Sequence, residues 1–282
     1  MAFRDVLFAL TTDPEPTPVA VVEDGVALAA ALGARISGLA YAVTVPASGN
    51  ILADLLLDIP ALIAEEAKKS LAKAETVLAT FQDIADKAGI FQERILERFP
   101  KSEISDVSVE YARLRDLTIV SLGEGDYSEQ LHAEAIIFGS GRPTIVLPRE
   151  RKGAGPLALD TVAVAWDFSR PATRAIADAL PILKRAKRVF IVTVMNEKAI
   201  DARRSGVELA KHLARHGIDV VLDTADAAGR PIGDALESYV ASCHADLLVM
   251  GAYGHSRIRE FVLGGATRSM LERPPAPLFL SH

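Results

Sequence analysis

Residues 249–271, VMGAYGHSRIREFVLGGATRSML, combine closely spaced glycines with basic side chains. The glycines follow the spacing Gly251-x2-Gly254-x9-Gly264, and Gly265 comes next. Glycine lets the backbone turn and lets a ligand approach without meeting a Cβ atom. The N-terminus of a helix offers N–H groups and a positive dipole end, which together favour phosphate. The spacing therefore indicates a phosphate cradle, although a tight turn followed by a helix cap explains the same glycines without a ligand.

The charged side chains of this stretch also admit two interpretations. Arg257, Arg259 and Arg268 are close enough in sequence to contact a triphosphate, but arginines on a surface loop are also ordinary solvated charges. His255 is a polar or basic group in the same loop. A catalytic base needs a nucleophile and an orienting partner, and Ser256 lacks the G-x-S-x-G context of a hydrolase nucleophile.

The elements that position this stretch follow from an alternation of short β-branched runs with longer amphipathic segments. In the second half the pattern predicts strands at 160–166, 187–195, 218–225, 246–252 and 276–282, with helices at 171–186, 202–217, 231–245 and 265–272. In the first half it predicts strands at 4–11, 34–43, 90–100, 116–122 and 143–148, with helices near 18–32, 61–88, 102–114 and 128–138. Such alternation is typical of an α/β fold, with a parallel sheet, right-handed crossovers and helices on both faces.

Both halves end in the same order, with a short helix, a proline and an apolar strand, GRPTIVLP in one and PPAPLFLS in the other. The charged, Gly-rich stretch 149–159 has the composition of a linker. We therefore predict a tandem duplication, with domains at 1–150 and 157–282. The segment 44–63 has no counterpart in the second half, and either a lid, an inter-domain contact or a loop packed on its own domain would explain it.

Residues 246–282 carry a resemblance to a known family along almost their whole length. Their pattern of G-x2-G-x9-G after an apolar strand, followed by a short helix and a last apolar strand, resembles the universal stress protein (UspA-like) family. The resemblance extends over 160–282 and more weakly over 4–148. It implies two Rossmann-like domains of the adenine nucleotide α hydrolase-like type, each an open five-stranded parallel sheet of order 3-2-1-4-5. It also implies dimers or tandem pairs, with ATP bound by some members only.

With that strand order, a ligand crevice lies beyond the carboxyl ends of the first and fourth strands. Asp167 follows the first strand of the second half and Gly251 follows the fourth, so we expect them at one cleft. The resemblance assigns Asp167 a contact on the base side of the nucleotide. For Ser169, next to Arg170 and Pro171, we favour a helix N-cap.

One departure from the family pattern concerns the phosphate donors. ATP-binding relatives carry Ser or Thr directly after the third glycine, where this chain has Gly265. The backbone N–H groups of Gly265 and Ala266 remain available, and Thr267 matches a second common hydroxyl position. ATP, with magnesium, is thus an expected ligand, although its site has lost one side-chain hydrogen-bond donor to phosphate.

The first half lacks this motif. Gly123 and Gly125 are too close together, and no G-x9-G precedes the helix that follows. Glu124, Asp126 and Glu129 would bring three carboxylates to the place where a phosphate would lie, and like charges repel strongly in a partly desolvated site. We expect that this half does not hold ATP and serves as a packing partner or takes another ligand.

Composition limits the remaining functions. The 282 residues carry a net charge of −6, which gives no sign of a nucleic-acid partner. The lone Cys243 excludes an internal disulfide and fits a reducing compartment. The sequence shows neither a signal peptide nor a run of about 18 uncharged apolar residues, so we expect a cytoplasmic protein without a membrane span. It also contains no P-loop, no H-E-x-x-H and no paired metal-ligand spacing.

These features favour a regulatory adenine-nucleotide-binding protein of the stress response, built as an intramolecular pseudo-dimer that could pair again into a homodimer. No ordinary enzyme is indicated, because no pair of carboxylates can be assigned as acid and base. Weak ATP hydrolysis or autophosphorylation is a third possibility, which would need a magnesium ion and a positioned water that the sequence does not identify. The alternative is a scaffold or chaperone-like partner of other proteins with both halves vacant. Gly265 favours that alternative, whereas Gly251, Gly254 and Gly264 oppose it.

Overall fold

A computed structural model of the chain describes residues 2–44, 59–150, 157–195, 202–252 and 265–282. The first half comprises strands β1 (Asp5–Ala9), β2 (Arg35–Thr44), β3 (Phe91–Pro100), β4 (Leu117–Leu122) and β5 (Thr144–Pro148), with helices α1 (Val19–Leu32), α2 (Ile59–Lys87), α3 (Ile104–Arg113) and α4 (Tyr127–Gly139). The second half comprises strands β6 (Thr161–Ala165), β7 (Arg188–Met195), β8 (Val220–Asp226), β9 (Leu247–Gly251) and β10 (Leu278–Ser281), with helices α5 (Arg170–Leu183), α6 (Ala202–Ala214), α7 (Ile232–Cys243) and α8 (Gly265–Glu272). Every predicted element is therefore present, with ends shifted by up to three residues.

The strands form one 10-stranded sheet of order β3-β2-β1-β4-β5-β10-β9-β6-β7-β8. Within each half the neighbouring strands pair in parallel and follow the order 3-2-1-4-5, as predicted. Parallel neighbours need crossover connections, and the helices supply them. The two halves are thus two copies of one topology within a single sheet.

The halves meet through an antiparallel pair of β5 and β10, in which Phe279 lies opposite Ile145, Leu278 opposite Val146 and Leu280 opposite Thr144. The register is self-complementary about the Phe279–Ile145 pair, as in an isologous two-fold contact. Both of those side chains are fully buried. The tandem chain therefore contains the interface of a dimer within one molecule.

Helices cover both faces of the sheet, and each face has its own hydrophobic cluster. On one face the cluster includes side chains from α1, α2, α5 and α6, such as Val22, Phe81, Ile176 and Leu213. On the other face it includes side chains from α3, α4, α7 and α8, such as Val109, Ile136, Leu236 and Met270. Burial on both faces explains why the central strands are almost continuously apolar rather than alternating.

Two of the predicted features lie wholly or mostly outside the described residues. The expected domain boundary at 151–156 lies outside the described residues. Most of the segment that breaks the symmetry, 45–58, also lies outside them, and its last residues begin α2. None of the described helices is long and apolar enough to cross a membrane.

Candidate nucleotide-binding crevice

The candidate site lies at the carboxyl ends of β6 and β9, which are neighbours in the sheet. Val162 pairs with Leu247 and Val164 with Val249, so both strands end at the same edge. The strand order reverses here, because β7 lies on one side of β6 and β9 on the other. Such a reversal is where open parallel sheets bind ligands. The structure therefore brings Asp167 and Gly251, 84 positions apart along the chain, to one crevice as predicted.

The loop after β6 is held by local hydrogen bonds. The Asp167 carboxylate accepts a hydrogen bond from the Ser169 N–H at 2.9 Å. The Ser169 hydroxyl oxygen accepts one from the Ala172 N–H at 3.2 Å and caps α5, which confirms the predicted N-cap. Asp167 itself is exposed, so its carboxylate is accessible to a ligand while the turn fixes its position.

Two aromatic residues flank Asp167, and neither was predicted as a site residue from the sequence. The Trp166 ring is almost buried, whereas Phe168 is 68% exposed and its backbone has a φ of 62°. The two rings meet edge to face with centroids 5.8 Å apart. A bulky residue with positive φ is a strained conformation of the kind that clusters at functional sites. The signal available in the sequence was an aromatic residue on each side of the aspartate.

Gly251 at the end of β9 has a packing role. A Cβ atom there would lie 2.4 Å from the backbone nitrogen of Ala172 and 2.5 Å from the carbonyl carbon of Pro171. Backbone atoms cannot move aside as a flexible side chain can. Gly251 therefore lets the first turn of α5 approach the end of β9, a role that is separate from any phosphate contact.

Helix α8 carries three of the predicted ligand residues, and these differ in their exposure to solvent. Gly265 is exposed, and a Cβ atom added there would meet none of the described residues within 4 Å. Ala266 is partly buried and Thr267 is 3% exposed, so the Thr267 side chain belongs to the protein interior. Arg268 pairs with Glu272 at 2.7 Å. The side-chain hydrogen bond to Glu272 raises the pKa of Arg268.

The other predicted ligand residues, Gly254, His255, Arg257 and Gly264, lie outside the described residues. Of the predicted set, the structure thus places Asp167 and Gly251 at the crevice and Gly265 at the start of α8. Among the described residues, no group of three or more His, Cys, Asp or Glu side chains could hold a metal ion.

The equivalent crevice of the first half is built from different residues. Val6 pairs with Leu117 as Val162 pairs with Leu247, so Thr11 occupies the place of Asp167 and Ser121 the place of Gly251. The Ser121 hydroxyl lies 3.4 Å from the Thr17 hydroxyl, which in turn contacts Thr11 at 3.0 Å. Hydroxyl groups therefore fill the space that the second half leaves to a glycine and an exposed carboxylate.

A carboxylate lies where the first half would have to bind an anion. The Glu129 carboxylate accepts a hydrogen bond from the Gly123 N–H at 2.7 Å and pairs with Arg149 at 2.8 Å. Asp126 caps α4 by accepting from the Glu129 N–H at 3.0 Å. Burial raises the pKa of Glu129, although the Gly123 N–H and Arg149 oppose that change. Two backbone donors here, the N–H groups of Gly123 and Glu129, are thus already occupied by protein carboxylates.

Beside Glu129 lies a cavity of about 80 Å³, whose wall includes Thr12, Tyr41, Ser105 and His132. The Tyr41 hydroxyl lies 2.7 Å from the Ser108 hydroxyl, and the His132 ring nitrogens lie 3.4 Å from the hydroxyls of Ser105 and Ser108. Burial lowers the pKa of His132 to about 4, so the ring is neutral at neutral pH. This volume is about half of the roughly 150 Å³ that accommodates a benzene-sized molecule, so a nucleotide does not fit within it.

Comparison with known proteins relates the second half of the chain to one family. Residues 158–282 match the model described as the universal stress protein family. A universal stress protein from Synechocystis sp. is 27% identical over 239 residues, which cover 80% of this chain and 77% of that protein.

Solved structures share the fold over the whole length of the chain. A universal stress protein from Archaeoglobus fulgidus DSM 4304 superposes with a TM-score of 0.70 at 20% identity, covering 98% of this chain and 95% of its own. A functionally unknown protein from Pseudomonas aeruginosa PAO1 superposes with a TM-score of 0.59 at 11% identity, covering 99% and 92%. The strand order and the glycine-bearing C-terminal motif agree with these matches: the second half of the chain, residues 158–282, is similar to the universal stress protein family, and the whole chain shares the fold of these solved structures.

Proposed function

We propose that this chain is a tandem universal stress protein that binds ATP or another adenine nucleotide in its second half, as a regulatory signal in a stress response. The proposed domains are 1–150, which has lost the nucleotide motif, and 157–282, which keeps it. One observation carries the proposal: Asp167 and Gly251 share the crevice where the strand order reverses, and the next described element after β9 is α8, which begins at the exposed Gly265.

The described residues fit such a ligand. Helix α8 begins at Gly265, which is exposed and has no Cβ atom to obstruct its backbone. Backbone N–H groups at a helix start favour phosphate oxygens. We assign the phosphates to the backbone of Gly254, Gly264, Gly265 and Ala266. Thr267 would contribute through its backbone, because its side chain is buried.

We assign contacts with the base, and the offsetting of the phosphate charge, to other residues of the crevice. The exposed Asp167 carboxylate would accept a hydrogen bond on the base side, and Phe168 offers an exposed aromatic surface beside it. His255 and Arg257 are assigned to the phosphate side, where cationic groups offset the ligand charge. A magnesium ion accompanying ATP would be held mainly by phosphate oxygens and water.

The proposal is tested on the purified chain by denaturing it, separating any released nucleotide by chromatography, and titrating the emptied protein with ATP. Gly254→Val should abolish binding, because a branched side chain obstructs the approach of phosphate. Asp167→Ala should weaken it by about tenfold, the effect of one hydrogen bond to a charged group. Asp219→Ala is the matched control, since this exposed aspartate lies next to the amino end of β8, at the opposite edge of the sheet. Equal affinities in all four proteins would contradict the assignment.

A second candidate function is a scaffold or chaperone-like partner that binds no nucleotide. It is favoured by the absence of a hydroxyl at Gly265 and by the burial of the Thr267 side chain, which together remove two side-chain donors from the start of α8. Absence of released nucleotide, together with no ATP binding near millimolar concentration, would support this candidate and overturn the first.

A further inference from the structure

The described residues on both sides of the segment 253–264 are held by contacts that lead to the first half. The upstream side is Ala252, directly after β9, and the downstream side is α8. The first half contributes through α4 and through the turn at 123–126 that precedes it. The two sets of contacts lie on different elements and involve different chemistry.

On the upstream side, the contact runs through His282, which directly follows β10. The His282 Nδ1–H donates a hydrogen bond to the Ala252 carbonyl oxygen at 3.0 Å. The same imidazole ring meets Phe138 of α4 edge to face, with centroids 5.3 Å apart and an interplanar angle of 84°. One ring therefore links a helix of the first half to the backbone at which β9 leaves the sheet.

On the downstream side, the turn of the first half contacts the end of α8. The Gly125 N–H donates to the Glu272 carbonyl oxygen at 3.2 Å, and Glu124 pairs with Arg273 at 2.9 Å. The Glu272 carbonyl belongs to the last turn of α8, whose carbonyl groups lack partners within the helix. The first half thus supplies a backbone donor and a carboxylate to the end of the helix.

The turn that makes these contacts is itself fixed. The Gly123 N–H donates to Glu129, and the Asp126 side chain caps α4. Arg149 joins Glu129 to the loop after β1 by donating to the Thr11 hydroxyl at 2.9 Å. The carboxylates that close the crevice of the first half therefore also give the turn a fixed position against α8.

We propose that the first half positions the two described elements that border the proposed nucleotide site, the carboxyl end of β9 and helix α8. His282 with Phe138 holds the carboxyl end of β9 at Ala252, and Glu124 with Gly125 holds the end of α8, so that the start of α8 is set at the right place for phosphate. The statement about nucleotide affinity rests on the proposed function. By linkage, a ligand that needs this arrangement strengthens the contact between the halves as much as the contact strengthens its binding.

The test uses the full chain and separates the two parts of the proposal. The variants are His282→Ala for the upstream contact and Arg273→Gln for the downstream one, alone and combined. Lys187→Gln is the matched control, because Lys187 forms an exposed 2.8 Å ion pair with Asp160 at the other edge of the sheet. Hydrogen exchange of residues 253–272 is measured without nucleotide, and ATP affinity is measured by titration.

We expect faster exchange over 253–272 in both single variants and most in the combined one, with no change in Lys187→Gln. The combined variant should bind ATP about fivefold more weakly, the scale of small, partly exposed contacts. The thermal midpoint should stay within about 3 °C of that of the unsubstituted protein, because such contacts contribute little to global stability.

Two results are decisive in different directions. Unchanged exchange and unchanged affinity in the combined variant would overturn the positioning role while leaving the proposed function in place. Faster exchange in a protein whose unsubstituted form binds no ATP would support the positioning role and overturn the proposed function.

Discussion

The two sheet crevices of this molecule occupy equivalent positions but differ in the exposure of their polar groups. In the second half, the crevice has an exposed aspartate, Asp167, and an exposed helix start at Gly265. In the first half, the same edge carries Thr11, a capped helix and the buried Glu129 carboxylate. The fold is thus kept, while in the first half the protein's own carboxylates occupy two backbone donors beside the start of α4.

This difference shows how a ligand site can be closed without leaving a void. Glu129 supplies the acceptor for the Gly123 N–H that a phosphate oxygen would otherwise provide, and Arg149 offsets its charge. Burying a carboxylate is unfavourable unless it is paired and hydrogen-bonded. Burial raises the pKa of Glu129, against the opposing effects of the Gly123 N–H, Arg149 and the Thr11 hydroxyl.

The largest expected contrast concerns the ends of β9 and β4. Gly251→Val should lower the free energy of unfolding by roughly 3 kcal/mol, because its side chain would collide with backbone atoms of α5. The matched change in the first half, Ser121→Ala, removes only a 3.4 Å hydroxyl contact and should cost about 1 kcal/mol or less. Denaturant titrations of both variants measure these values, and equal costs would mean that the two strand ends are packed alike.

The pH dependence of stability should be centred on the first crevice. Because the pKa of His132 is about 4 in the folded protein and 6.5 otherwise, the unfolded state binds the proton first as pH falls. Its contribution is complete above pH 6.5 and is lost between pH 6.5 and 4, by up to about 3 kcal/mol.

Glu129 acts in the opposite direction, because an acid with a raised pKa gains stability as it is protonated. The unfolding free energy should therefore be measured against pH for the unsubstituted protein and for His132→Asn, and the difference between the two curves isolates the histidine. A difference that is constant from pH 7 to pH 4 would place the sensitivity elsewhere.

Removal of the closing carboxylate should cost somewhat less. Glu129→Ala leaves the Gly123 N–H and the Arg149 guanidinium without their carboxylate, and we expect a loss of roughly 2 kcal/mol in the free energy of unfolding. The control is Glu124→Ala, whose ion pair with Arg273 is mostly exposed and should contribute less than about 0.5 kcal/mol. If the two variants are equally stable, Glu129 does not close the crevice energetically.

The smallest expected effect restores a donor to the second crevice. Gly265→Ser should tighten ATP binding by about fivefold, because one added hydrogen bond is worth about 1 kcal/mol. Gly265 is exposed, and an added Cβ atom would meet none of the described residues within 4 Å, so the substitution is sterically compatible with that part of the chain. Gly265→Ala makes the same backbone change without a hydroxyl, and titrations that give both variants the same affinity would remove the phosphate from this position.

Much of this architecture could be predicted from the sequence because it depends on local periodicity. The alternation of apolar runs and amphipathic segments gave every strand and helix, and the glycine motif gave the strand order through its family resemblance. The Ser169 cap was predictable for the same reason, since its hydrogen bond reaches only to Ala172.

Features that depend on tertiary contacts were not predictable. The antiparallel β5–β10 pair that makes one sheet of two depends on edges far apart in sequence. Glu129 was expected near the helix start, but its partner Arg149 lay in a stretch with linker composition. The packing role of Gly251 was hidden because its close neighbours, Pro171 and Ala172, belong to a different βα unit.

The most direct test of the central claim is a calorimetric titration of the nucleotide-free chain with ATP, repeated with Gly254→Val. We expect a stoichiometry of one ATP per chain for the unsubstituted protein and no binding for the variant, because carboxylates occupy backbone donors in the first crevice. Two sites per chain would contradict the closure of the first crevice, and unchanged binding in Gly254→Val would contradict the assignment of the second.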